Sequence, residues 1–377
     1  MGKILFALIP LLLGIGFFFW FFLKRLGITL GINTKRRRNK IILLILTVLL
    51  TLASAMITNL SAIYLLHVVA IGAMMQLINL LVKRIWRKRY ENGCALWKKI
   101  YGLGLVPLLL SFVVLISGYF NLHSVVRTDY TVTTEKNIRA EGYRVALIAD
   151  VHFGVSLNYE ELLETCREIS AADPDIVILC GDMVDSSTST EELWEVFRAF
   201  GTIQSEFGTF FVYGNHDRTM SKTFTNEFSD GDLETAIREN GITLLQDDTV
   251  QLTEDLVLIG REDLSRDRRD GGRLPLRNLL EGTEEKDFLL VLDHQPNDYT
   301  ENGTLGTDLL LSGHTHGGQF FPLNLLMRII PFNDGTYGMY DIGAKGKAIV
   351  TSGLAGWNFP IKTAAPAEYV IIDIRNP

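Results

Sequence analysis

The sequence predicts an α/β domain of stacked sheets over residues 124–377, preceded by a bundle of four transmembrane helices within residues 1–123. Three observations lead there. Four long apolar runs lie in the first third of the chain. Charge is divided along the chain: residues 1–123 carry 15 Lys/Arg and one acid, Glu91, whereas residues 124–377 carry 21 Lys/Arg and 42 acids. After Asn121, short β-rich runs alternate with runs of helical periodicity. The formal net charge of -7 therefore averages a basic part and an acidic part, which points to two environments.

The first apolar run, residues 4–23, has no charge. It has about the 20 residues that a helix needs to cross a bilayer. A cleavable secretory signal is the rival reading, but its apolar core is usually only about 7–15 residues and ends at small residues. This run ends in Phe-Phe-Leu-Lys-Arg. Three more runs follow at about 41–58, 60–82 and 100–120, with a short polar turn near Thr58-Asn59. Lipid offers backbone groups no partners, so these runs are expected to be helices. Loops 24–40 and 83–99 each hold seven Lys/Arg, and the turn holds none. The positive-inside bias places both loops in the cytoplasm. Four crossings then put both termini and the acidic domain on the extracytoplasmic side. Contact of the loops with anionic lipid gives the same orientation. His67 falls in the third run. It is either a functional intramembrane imidazole or, having no acidic partner in this part of the sequence, a packed neutral ring.

In the acidic part, Tyr143–Ala149, Ile176–Cys180 and Thr209–Tyr213 read as strands, and Asn158–Ala171 and Thr190–Phe207 as helices. Further strands are expected at Thr249–Thr253, Leu256–Gly260, Phe288–Leu292, Leu309–Ser312, Ala348–Ser352 and Glu368–Ile374. A helix over Leu233–Asn240 is closed by Gly241. So many strands with few helices between them imply two stacked sheets. The charged stretch 261–273 reads as a solvated face, with a grip on an anionic substrate as the other reading. Cys94, Cys166 and Cys180 are too few and scattered for a disulfide framework or a cysteine zinc site. No nucleic-acid partner is expected, because binding through bulk charge needs a positive surface.

Five of the seven histidines fall in five clusters: Asp150-x-His152, Gly181-Asp182-x-x-Asp185, Gly214-Asn215-His216-Asp217, His294, and Gly313-His314-Thr315-His316. Each cluster follows an expected strand. Ligands of α/β sheets gather beyond the carboxyl ends of strands, so five strand ends can serve one cleft. Carboxylate, imidazole and amide oxygen are the donors of a two-metal hydrolytic site. Singly each motif is weak; the ordered set is specific.

This set resembles the calcineurin-like metallophosphoesterase superfamily over roughly residues 124–377, and within it the membrane-attached bacterial branch. The carrying strings are Tyr-Arg-Val-Ala-Leu-Ile-Ala-Asp-Val-His-Phe-Gly, Leu-Asp-His-Gln-Pro, Ser-Gly-His-Thr-His-Gly-Gly-Gln and Ser-Gly-Leu-Ala-Gly. The resemblance implies a four-layer αββα sandwich. It also implies that Asp150, His152 and His316 hold one divalent ion, that Asn215, His294 and His314 hold a second, and that Asp182 bridges both. Two ions of Mn, Fe or Zn suit that set. His216 then contacts the phosphate or protonates the leaving oxygen, Asp217 orients His216, and Asp185 is an outer hydrogen-bond partner. Turn capping is the other reading for Asp185 and Asp217. One departure is Lys362, where related proteins tend to carry arginine, which puts a phosphate clamp at that position in doubt.

The implied function is a membrane-anchored phosphoesterase in which a metal-bridging water attacks a phosphodiester or monoester. Its expected partners are the bilayer and a phosphate ester, with an envelope lipid or lipid-linked substrate ahead of a soluble nucleotide. A catalytically silent, membrane-bound sensing or binding module on the same fold is the alternative.

Overall fold

The computed structural model describes residues 2–56, 59–87, 90, 95–219, 225–268, 272–330 and 332–377. Thr58, Lys88, Arg89, Glu91, Cys94 and residues 269–271, on which parts of the sequence reading fall, lie outside them. The chain forms two compact units, Met1–Ser117 and Gly118–Pro377. The boundary precedes the expected 123/124 because Gly118–Leu122 packs with the second unit. There Lys362 N donates to Gly118 O at 3.0 Å, and Asn121 Nδ2 donates to Lys362 O and Ala365 O, each at 2.8 Å.

Among the described residues, four helical stretches are long and apolar enough to cross a membrane: Ile9–Thr29, Arg37–Ala55, Leu60–Ile85 and Leu105–Leu122. Two details depart from the sequence reading. The first helix does not stop at the Lys24-Arg25 pair but runs to Thr29, since helix-end lysines and arginines keep their heads in a polar layer while their stems stay apolar. The fourth run is broken into Ala95–Leu103 and Leu105–Leu122 by Gly104, whose φ of 69° is left-handed. His67 is buried, with Nδ1 2.8 Å from Ile63 O, the bonding pattern of a packed ring.

The second unit contains two six-stranded sheets. Chain order gives β1 Val126–Thr133, β2 Tyr143–Ile148, β3 Ile176–Cys180, β4 Thr209–Val212, β5 Ile242–Leu244, β6 Asp248–Gln251, β7 Leu256–Gly260, β8 Phe288–Leu292, β9 Leu309–Ser312, β10 Gly338–Ile342, β11 Gly346–Val350 and β12 Glu368–Arg375. One sheet runs β1-β12-β2-β3-β4-β5, the other β10-β11-β9-β8-β7-β6. Strands β2 through β5 are parallel neighbours, as are β7, β8, β9 and β11 in the second sheet.

Alternation along the strands makes the layers. Val145 and Leu147 face the core between the sheets with Leu258 and Leu290. Ala146 and Ile148 face an outer core with Leu162, Phe197 and Leu233 from the helices Tyr159–Ala171, Thr190–Phe200 and Asp230–Glu239. Leu276 and Leu279, on the short helix Leu276–Leu279, pack on Val257 and Val291 of the other sheet. The layers are thus αββα. The first three helices begin with capping boxes, Asn158/Glu161, Ser189/Glu192 and Ser229/Asp232. The second of them ends at Phe200, not at Phe207: Gly201 leaves the helix, and 209–212 must already be β4. Strands β1, β5 and β10 were not anticipated; β1 and β10 are half-exposed edges with little apolar signal.

Candidate metal centre

The clusters sit on the turns that leave β2, β3, β4, β8 and β9. The turns are tied to one another by backbone bonds: Asp150 N to Gly181 O at 3.1 Å, Val151 N and His152 N to Asp182 O at 2.8 and 3.0 Å, and Gly313 N to His294 O at 3.0 Å. Five candidate ligands have left-handed φ: Asp150 53°, His152 40°, Asp182 58°, His314 72° and His316 49°. This conformation is uncommon outside glycine, although Asp and His are enriched in it. It costs about 1–3 kcal/mol per residue and gathers where packing holds a site in place. Gly313 permits one of the close approaches. A Cβ there would lie 2.6 Å from Ala149 Cβ and 2.7 Å from Asp150 Oδ2.

Donor atoms of Asp150, His152 and His316 lie within 4.8 Å of one another, and those of Asp182, His294 and His314 do likewise. Asp182 Oδ2 is 3.0 Å from His294 Nε2 and 3.8 Å from His152 Nε2, so one carboxylate stands between the groups. His152 Nε2 and His316 Nε2 are 3.3 Å apart. Asn215 Oδ1 is 2.7 Å from His314 Nδ1, which brings the amide into the second group. The seven residues named from the sequence therefore converge.

Outer bonds fix the rings. His152 Nδ1 meets Asp185 Oδ2 at 3.0 Å, His294 Nδ1 meets Cys180 O at 2.8 Å, and His316 Nδ1 meets Ala355 O at 3.3 Å. A ring nitrogen held this way leaves Nε2 for a metal. His294 Nε2 is buried and, despite its nearness to Asp182, makes no aligned hydrogen bond. Burial pushes the Asp150 carboxyl up to about 6, with Asp182 adding to the rise. Burial also opposes charge on Asp182, but His294 and His216 hold it well below the usual range. Burial next to His294 brings His314 down to about 4. Two closely spaced carboxylates, four imidazoles and an amide oxygen fit divalent cations.

His216 lies at the edge of this group. Its backbone N–H donates to Asp182 Oδ1 at 2.7 Å, and its ring centroid is 5.2 Å from that of His152 and 5.5 Å from that of Trp357. Burial lowers its pKa. Asp185 is placed as an outer partner of His152, as the resemblance implied. Asp217 is not placed to orient His216. Its carboxylate accepts from Asp182 N and Met183 N at 2.8 Å, Gly214 N at 2.6 Å and Val184 N at 3.3 Å. The turn-capping reading is the correct one, because four backbone donors saturate a buried carboxylate.

Lys362 is fully buried, and its Nζ donates to the carbonyls of Ser352, Gly353 (3.1 Å) and Ala355 (3.5 Å). Burial pushes the ammonium down to about 7. It braces the turn that receives His316 and cannot clamp a phosphate. The stretch 261–273 is not simply a solvated face. Arg273 is buried against Asp293 (2.7 Å) and Asp298 (2.5 Å), and Arg261 lies 3.4 Å from Asp293. Asp263, 1% exposed, accepts from Gln295 Nε2 at 3.0 Å, directly after His294 in the chain. Trp357 beside His216 was missed; a lone exposed aromatic in a Gly-rich loop carries no periodic signal.

Residues 143–318 match the model of the calcineurin-like phosphoesterase family. The chain is 25% identical to an uncharacterized metallophosphoesterase of Campylobacter jejuni, over 78% of this chain and 75% of that protein. It is 26% identical to a zebrafish (Danio rerio) transmembrane protein with metallophosphoesterase domain, over 72% of this chain and 62% of that protein. An uncharacterized metallophosphoesterase of Aquifex aeolicus is 27% identical over 70% of this chain and 97% of its own. Over residues 143–318, a little under half of its length, the chain is thus similar to the calcineurin-like phosphoesterases.

Proposed function

We propose that Asp150, His152 and His316 hold one divalent ion, that Asn215, His294 and His314 hold a second, and that Asp182 bridges them, in an enzyme that hydrolyses a phosphodiester at an envelope lipid surface. The convergence of these seven donors into two groups sharing Asp182 carries the reading. When bound, the ions supply positive charge for the phosphoryl oxygens and activate a water nucleophile. His216, next to Asn215 and open towards Trp357, is the group that meets the leaving oxygen. Asp185 and the carbonyls of Cys180 and Ala355 keep the imidazoles aimed.

Two observations favour a lipid-borne substrate. The helix Leu323–Ile329 has no buried residue, and Leu325, Ile329, Phe332 and Trp357 are 45%, 75%, 58% and 41% exposed. Gathered on one short stretch, Leu325, Ile329 and Phe332 suit a contact surface. It is also tied to the last turn of the apolar helix Leu105–Leu122 within the same unit. Phe321 N donates to Thr363 Oγ1 at 3.0 Å, Thr363 N to Gln319 O at 2.8 Å, and Asn121 Nδ2 to Lys362 O at 2.8 Å. The four apolar helices act as the anchor, and the basic loops orient this unit to the extracytoplasmic side.

The test is an assay of the full chain in nanodiscs against a vesicle-borne lipid phosphodiester, bis(p-nitrophenyl) phosphate and p-nitrophenyl phosphate. Metal-dependent turnover with the highest kcat/KM on the lipid diester is expected. A preference for the soluble monoester would remove the lipid assignment. No turnover by metal-loaded protein would favour the silent binding module.

A further inference from the structure

The N-terminal unit gathers basic side chains in a second place, which shares no residue with the candidate metal centre. An open cleft of about 340 Å³ is walled by the ends of the helices Gly2–Thr29 and Leu60–Ile85 and by Ala95–Leu103. Lys24, Arg25, Lys83 and Lys98 line it, together with Tyr90 and Tyr101. The Arg25 guanidinium stands 4.0 Å above the Tyr101 ring, and its Nη1 donates to Gln76 Oε1 at 3.3 Å. Arg25 Nε is buried with no hydrogen-bond partner. The ammonium groups of Lys83 and Lys98 approach one ring, that of Tyr90, at 5.1 and 5.5 Å.

The cations come from three segments far apart in sequence, so the fold gathers them. Like charges so gathered repel one another, at a cost that rises where water is scarce. The faces of the tyrosines offset part of that repulsion. Residues 1–117 supply one carboxylate, Glu91, against 15 Lys/Arg. A phosphate group answers both features, by charge and by accepting from an arginine fork. The flank is apolar: Phe21 and Ile28, which also line the cleft, are 49% and 61% exposed. That combination suits a phosphate with acyl chains attached. Basic pockets between transmembrane helices recognise anionic headgroups in this way.

We propose that this cleft is a binding site for the phosphate of an anionic lipid headgroup. Free inorganic phosphate is the other carrier of the same chemistry. Native mass spectrometry of the full chain, released from detergent, tests it with three probes: dioleoyl phosphatidylglycerol, zwitterionic dioleoyl phosphatidylcholine and inorganic phosphate. The wild-type chain retains phosphatidylglycerol in preference to phosphatidylcholine. The double variant Lys24→Gln/Lys83→Gln loses roughly fivefold in phosphatidylglycerol affinity per charge removed. Both lysines are exposed, and hydrolysis of soluble bis(p-nitrophenyl) phosphate by the variant matches wild type, which verifies its folding. Displacement of the lipid by millimolar phosphate supports the site and makes the free ion a ligand too. Resistance to displacement supports the lipid-borne phosphate alone. Equal retention of the two lipids by wild type, or unchanged affinity in the variant, overturns the proposal.

Discussion

The metal centre and the basic cleft each gather groups that call for an ion of opposite sign, but they hold them differently. In the metal centre the donors are short side chains on left-handed turns, nearly all buried, and three rings have a second bond that fixes them. In the cleft the charges sit on long side chains, Lys24, Lys83 and Lys98 are exposed, and tyrosine faces are the restraint. A centre built the first way can select coordination geometry and do chemistry. A cleft built the second way can only attract. Single substitutions should therefore be severe in the centre and graded in the cleft.

The sharpest way to break this contrast is at His216. His216→Asn should lower kcat by about 10²–10⁴ while two metal ions stay bound. Loss of metal in that variant would make His216 a ligand and redraw the centre. Asp185→Asn comes next, since it loosens His152 without removing a donor. A metal affinity lower by about 10–100-fold, read by competition with a chelating dye, is expected. Unchanged affinity would show that the ring needs no outer partner.

Lys362→Met tests whether the turn behind His316 is braced by its ammonium. Three carbonyls lose their donor, so thermal stability should fall by about 1–3 kcal/mol. An equal or higher Tm would mean that relief of the buried charge outweighs the lost bonds. The smallest effect concerns Cys166. Burial pushes its thiol up to about 12 from an ordinary value of 9.0. The unfolded thiol ionises first as pH rises, so this contribution to stability is complete below pH 9 and disappears on the way to 12. Iodoacetamide at pH 8.5 should leave Cys166 intact in the folded chain and modify it in urea. Modification of the folded chain would show that this core opens.

The two regions were also legible in different ways. Composition and charge asymmetry revealed the apolar helices, because a bilayer imposes a length and a hydropathy on each run. They could not reveal the break at Gly104, nor that Lys24, Lys83 and Lys98 meet, since convergence is tertiary. In the second unit the convergence of the seven candidate donors was legible because each follows a strand and chemistry restricts the residue types. The roles of Asp217 and Lys362 were not. An aspartate that caps a turn and one that aims an imidazole have the same sequence, and a lysine shows no sign that its ammonium is buried. Edge strands such as β1 were hidden for a related reason: with one face exposed, their apolar pattern is thin.

The central claim is that one carboxylate, Asp182, joins two cation sites. Metal content by inductively coupled plasma mass spectrometry, measured with phosphodiester turnover on wild type and Asp182→Ala, tests it directly. The account predicts about two ions per wild-type chain, and in the variant loss of metal together with activity in a chain that still folds. A variant that keeps both ions, or that hydrolyses the diester at the wild-type rate, would contradict it.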